Sequence, residues 1–168
     1  DAVIRLRQEL PLQSMSDPET LSDFIRWTAQ EYPAEKYMLV LWDHGGGSVS
    51  GYGYDQVYPN TTMTLDKLAQ ALEAGGVKFD FIGFDACLMA SLEVACALAP
   101  YARYMIASQE VEPGSGWDYS FLKTMNSTSD TKTIADSILR TYEDYMGLYR
   151  VTPKYTLSVM DLSKLGSF

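Results

Sequence analysis

One histidine and two cysteines in 168 residues leave little material for metal chemistry. Zinc sites and disulfide frameworks draw on clustered Cys and His, whereas Cys87 and Cys96 stand nine apart with no Cys-x-x-Cys, and His44 is alone. Basic residues are scarce too. The 13 Lys and Arg against 22 Asp and Glu give a net charge of -9. Nucleic acid is thereby an unfavoured partner, since phosphate backbones are held by clustered cations, and cationic peptides are a mildly favoured one. No apolar run reaches the roughly 18 residues that span a bilayer, and the opening Asp-Ala-Val-Ile-Arg is not a charged leader followed by an apolar block. A soluble stretch is expected. There is also no internal repeat, low-complexity tract or linker to divide the chain. What is plentiful is core material: 46% apolar and 12% aromatic residues, enough for one globular domain spanning residues 1–168.

Residues 1–15 lack a clear period and read as a short strand plus loop. Ser16, Pro18 and Glu19 then supply a capping hydroxyl, a first-turn proline and an acid three residues after the serine. The helix they start carries Leu21, Phe24, Ile25 and Thr28 on one face and ends near Tyr32 and Pro33. Residues 37–43 form an apolar run, read as a buried strand, that stops at His44 and three glycines. The polar stretch 45–62 is longer than an ordinary connector and is expected to face substrate. Thr64 caps a helix with Leu65, Leu68, Ala69 and Leu72 on one stripe, and Gly75 and Gly76 stop it. A second buried strand starts at Phe79 and ends near Cys87. Further elements are a helix over 88–98, a strand over 104–108, a helix over 131–145 with Ile134, Ile138, Leu139 and Tyr142 on its apolar face, and a strand over 155–162. This alternation predicts an α/β fold with a mainly parallel sheet and helices on both faces. Cys96, inside the third helix, reads as an inert buried thiol.

In such a sheet the chemistry lies beyond the carboxyl ends of the strands. If the runs ending at His44 and Cys87 are neighbours, their axes are about 4.8 Å apart and both side chains leave one rim. A thiolate is the nucleophilic form of cysteine, and a place just ahead of a helix favours it. The imidazole then acts as base and later protonates the leaving amine. Glycine amides after His44, with that of Cys87, suit a developing oxyanion, so acyl transfer is the indicated class. Asp85 shares a strand face with Cys87 and would oppose thiolate formation. It is better placed as a receptor for an Arg or Lys side chain. Asp43, Trp42 and Phe84 read as structural. Glu110, Glu112 and Asp118 fall in a loop past the third strand and read first as solvated charges, with Asp118 a candidate substrate-binding residue.

Residues 41–47 (Leu-Trp-Asp-His-Gly-Gly-Gly) and 82–89 (Ile-Gly-Phe-Asp-Ala-Cys-Leu-Met) resemble the histidine and cysteine motifs of the clostripain cysteine peptidases. Residues 16–21 and 112–119 resemble the same family, so the likeness runs from about Ser16 to Tyr119. It implies a caspase-like fold, a catalytic dyad of His44 and Cys87, an oxyanion hole including the amides of Gly45 and Cys87, and cleavage after Arg or Lys directed by Asp85. It also implies a bacterial, secreted or envelope-associated precursor activated by proteolysis. No cofactor is required, although some members depend on calcium. Members are longer, so the residues are expected to lack an N-terminal core strand and a C-terminal region. No basic residue lies between His44 and Lys67, which makes self-cleavage in that loop unexpected.

Two other readings compete. His-Gly-Gly-Gly also serves serine esterases, but these need a Gly-x-Ser-x-Gly elbow that the chain lacks. A catalytically inactive binding module of the same fold would keep both motifs without turnover.

Overall fold

The computed structural model describes residues 5–59, 61–148 and 154–167. Four strands form one sheet in the order β1 (Met38–Trp42), β2 (Phe79–Asp85), β3 (Ala102–Ala107) and β4 (Ser158–Asp161). The first three are parallel, and β4 runs antiparallel to β3. Helix α1 (Pro18–Glu31) precedes β1. The four-residue turn α2 (Gly47–Ser50) and helix α3 (Leu65–Gly75) join β1 to β2, and α4 (Leu92–Leu98) joins β2 to β3. A 3-10 turn (Tyr119–Thr124) and helix α5 (Thr131–Leu148) fill the path from β3 to β4.

Strand alternation sorts the apolar side chains onto two faces. Leu39, Leu41, Ile82, Phe84 and Met105 point to the side of α1, α3 and α4, where Ile25, Leu68, Leu72, Val94 and Leu98 meet them. Phe81 and Ile106 point the other way, onto Trp117, Phe121, Ile134, Ile138 and Tyr142 from the 3-10 turn, the loop before it and α5. Each fully buried Leu, Ile or Phe contributes about 1.5–3 kcal/mol, so both helical layers are held mainly by burial. The expected sheet with helices on both faces is therefore present. Only β4 departs from the parallel pattern, after a connection from β3 that holds the 3-10 turn and α5.

Several local expectations are corrected. Asp17, not Ser16, caps α1: its carboxylate accepts the Glu19 N–H at 3.0 Å. The buried Ser16 hydroxyl donates instead to the Thr61 carbonyl. Phe24, expected on the inner face of α1, is 54% exposed. The third helix starts at Leu92 rather than 88, where Ser91 accepts the Val94 N–H. Cys96 is exposed, because α4 turns Val94, Ala95 and Leu98 inward and leaves Cys96 on the outer side. Residues 5–14 have no regular structure, so the short strand expected within 1–15 is absent there, and residues 1–4 lie outside the described ones.

Gly83 marks where the second layer comes closest to the sheet. A Cβ there would lie 2.7 Å from Cη2 of the Trp117 indole. Trp117 cannot retreat freely, since its backbone N–H is fixed on Asp85. Gly83→Ala is expected to destabilise the fold by about 1–3 kcal/mol through overpacking, read as a lower urea midpoint with unchanged slope.

Candidate active site

Every pair from Met38↔Phe81 to Trp42↔Asp85 is offset by the same 43 positions. Two residues beyond the last pair, the same offset matches His44 with Cys87. Backbone contact past the strand ends agrees with this: a Cβ on Gly45 would lie 2.1 Å from the Cys87 carbonyl oxygen, an approach only glycine permits. The structure thus brings the two segments together at one rim of the sheet. His44 is exposed and Cys87 half-buried, so both are open to a ligand.

The turn after β2 is tight. Leu88 has φ +62, a left-handed conformation costly for a branched side chain. It is held by hydrogen bonds from Leu88 N–H to the Glu110 carbonyl at 3.1 Å and from Ala90 N–H to the Ser108 carbonyl at 2.9 Å. Cys87 therefore projects from a strand-to-turn corner, five residues ahead of α4. The expected assistance from a helix terminus is not available, because that field fades within one turn. The sulfur instead receives the Glu112 N–H at 3.3 Å.

Asp85, the last residue of β2, is 3% exposed. Gly116, at φ +64, brings the loop backbone down onto its carboxylate. Trp117 N–H reaches both carboxylate oxygens at 3.1 Å, and the Tyr119 hydroxyl donates at 2.9 Å. These are three neutral donor contacts and no cation. Among the described residues the one ion pair, Arg26 with Asp23, lies on α1. Burial and then the charge of Asp85 push the Tyr119 hydroxyl well above the ordinary tyrosine range. Glu112, expected as a solvated loop charge, is 8% exposed and closes the same space, with Oε1 accepting the Trp117 indole N–H at 3.4 Å. Burial, and then Asp85, push its carboxyl up to about 8.

Asp118 takes another part. Its two oxygens accept the Ser120 N–H at 2.9 Å and the Ser120 hydroxyl at 2.6 Å, which holds its carboxyl below the usual range. It caps the 3-10 turn that carries Tyr119, and its carboxylate is engaged there rather than with the pocket residues. Asp43 is structural as expected, accepting the N–H groups of His44 and Tyr54. Phe84 is core and Trp42 is 72% exposed at the edge strand. Residues 45–59 fold back beside the rim: Tyr52 pairs with Gly45 and Met63, Gly53 N–H donates to the His44 carbonyl at 2.8 Å, and the Tyr54 ring stands edge-on to His44. Among the described residues no three His, Cys, Asp or Glu gather where they could hold a metal ion. No described helix is long and apolar enough to cross a membrane.

Comparison with known proteins gives a single family. The sequence profile of the clostripain family matches residues 5–168. Clostripain of Hathewaya histolytica is 33% identical over 123 residues, covering 63% of this chain and 23% of clostripain. A secreted C11 cysteine protease from Bacteroides thetaiotaomicron, solved with an irreversible peptide inhibitor, superposes with a TM-score of 0.79 at 27% identity over 92% of this chain and 47% of that one. An inactive zymogen C11 protease from Parabacteroides distasonis gives 0.74 at 31% identity, over 96% and 44%. The chain spans less than half the length of each of these three relatives. With its mainly parallel sheet between helical layers and this likeness over nearly all its residues, the chain has a caspase-like α/β fold and belongs to the clostripain family.

Proposed function

We propose that the protein is a cysteine endopeptidase that cuts peptides after Arg or Lys, and that these residues are part of a longer peptidase chain. The observation carrying this reading is a buried carboxylate without a cation among the described residues, Asp85 at the end of β2, two residues before Cys87. A buried charge is costly unless paired, and a guanidinium or ammonium from a substrate would pair it. In the proposed sequence the Cys87 sulfur attacks the scissile carbonyl carbon while His44 takes the thiol proton. The oxyanion is held by the amides of Gly45 and Cys87. As the C–N bond breaks, His44 returns the proton to the leaving amine, leaving a thioester. Water, deprotonated by His44, then hydrolyses the thioester and frees the thiol. Secretion from a bacterium and maturation from a precursor belong to the same proposal, supported by the secreted and zymogen relatives.

The test is the cleavage profile of a peptide library under the full-length protein. Arg and Lys before the cut are expected to exceed Gln or Leu by at least ~100-fold, since leaving a buried charge unpaired costs about 3–5 kcal/mol. A majority of cuts after acidic or apolar residues would overturn the specificity, and no cutting at all would favour a binding module.

A further inference from the structure

Two acids, not one, are buried beside Cys87, and while both oxygens of Asp85 have donors, one oxygen of Glu112 has none. Glu112 Oε2 is buried and has no hydrogen-bond partner, while its Oε1 holds the Trp117 indole. The Tyr142 hydroxyl of α5, on a side chain 2% exposed, is equally without a partner. The Tyr142 ring packs in one cluster with Trp117, whose indole Glu112 holds, and the hydroxyl is pushed above its ordinary range by burial and then by the charges of Glu112 and Asp85. The Tyr119 hydroxyl, which donates to Asp85, is pushed up as well by burial and then by Asp85, so it contributes no charge. Among the described residues no Lys or Arg pairs with either acid.

Two adjacent carboxylates in so dry a place cannot both stay ionised, and one takes a proton. We propose that Glu112 is a second specificity-determining residue, a neutral acid beside Asp85 while the pocket is empty, which ionises when a substrate's cationic side chain enters. This rests on the reading that the pocket takes Arg or Lys. The charge balance is simple. Empty, the pocket holds ionised Asp85 and neutral Glu112, net -1 in sum by the two groups named; filled, it holds two carboxylates and one cation, again -1. Binding breaks the Glu112 O–H bond, sends the proton to solvent, and replaces it with an N–H donor on Oε2. Entry is an exchange of a proton for a guanidinium or ammonium. The shift of the Glu112 carboxyl up to about 8 sets the range in which the exchange is visible. Below that range affinity for the cation should rise up to about tenfold per pH unit, and above it level off.

The experiment uses the full-length protein carrying Cys87→Ala, so that the probe is bound and not cut and the thiol cannot titrate. N-acetyl-arginine amide is titrated calorimetrically in buffers of differing ionisation enthalpy, with the neutral isostere N-acetyl-citrulline amide as reference. At about pH 6.5 close to one proton should be released per arginine amide bound, falling towards none at about pH 9.5. Glu112→Gln in the same background should abolish the release and flatten the pH dependence. His44→Gln should leave the release intact, and it carries the test if Glu112→Gln does not fold. Arginine amide that outbinds citrulline amide without releasing a proton overturns the role of Glu112 and leaves the pocket standing. Release that survives Glu112→Gln, or disappears with His44→Gln, overturns it as well. If arginine amide binds no better than citrulline amide, the pocket reading itself is wrong.

Discussion

Replacing Cys87 by Ala in the full-length protein is expected to lower kcat on an arginyl peptide by about 10⁴-fold or more, the scale on which loss of a nucleophile acts. The fold should survive, because the thiol is half-buried and its one recorded donor is the Glu112 N–H. That substitution therefore separates chemistry from stability, and an unchanged urea midpoint within about 1 kcal/mol accompanies the lost rate. General alkylation would be misleading here, since Cys96 is exposed on α4 and will also react. A peptidyl-arginine acyloxymethyl ketone requires both a cation pocket and a positioned thiol. Its adduct should appear by mass on Cys87, persist in Cys96→Ala and vanish in Cys87→Ala. Turnover retained by Cys87→Ala, or an adduct carried by Cys96, would remove the nucleophile from this account.

Asp85→Asn is expected to reduce kcat/KM on arginyl peptides by about 10²–10³-fold, while citrullinyl peptides, already poor, change little. Asn keeps an oxygen to accept from Trp117 N–H and Tyr119, so the loop past β3 remains anchored and the charge alone is removed. Freed of that charge, Glu112 ionises more readily and retains part of the preference. The double variant with Glu112→Gln should therefore erase the remainder, a non-additive pattern expected of groups in contact. Equal losses on both peptide types would show that Asp85 only holds the loop.

The strands and most helices were legible because their signals are local: Phe79 to Phe84 is apolar but for Asp80, and Gly76 ends α3 as its place in the chain suggested. The His44 and Cys87 segments could be paired in advance because each closes an apolar run, and parallel neighbours with equal offsets leave their ends at one rim. What escaped the sequence depends on contacts between distant segments. Glu112 reads as a loop charge until the corner at Leu88 draws residues 108–110 against the end of β2. Tyr142 belongs to an apolar helix face by period, which says nothing of where its hydroxyl ends. The Gly-Ser-Gly-Trp stretch just after Glu112 was the available hint, since a positive φ at Gly116 lets the chain fold onto a carboxylate. Ser16 was expected to cap α1, but its hydroxyl goes to the distant Thr61 carbonyl and Asp17 takes the place, a choice that no local pattern reveals. The reversal of β4 could not be read from alternation, because a connection long enough to hold both a 3-10 turn and α5 can deliver a strand in either direction.

The two groups on the end of β2 also act as a measuring stick. Asp85 ends β2 and Cys87 follows two residues on, across a bend and into a turn, so their Cα atoms can lie no more than about 7 Å apart however the loops move. A positively charged side chain too short for that interval could seat its charge and still hold its carbonyl out of the sulfur's reach. Under the proposed activity such a peptide would occupy the site without being consumed, which makes chain length, as much as charge, the mark of a true substrate.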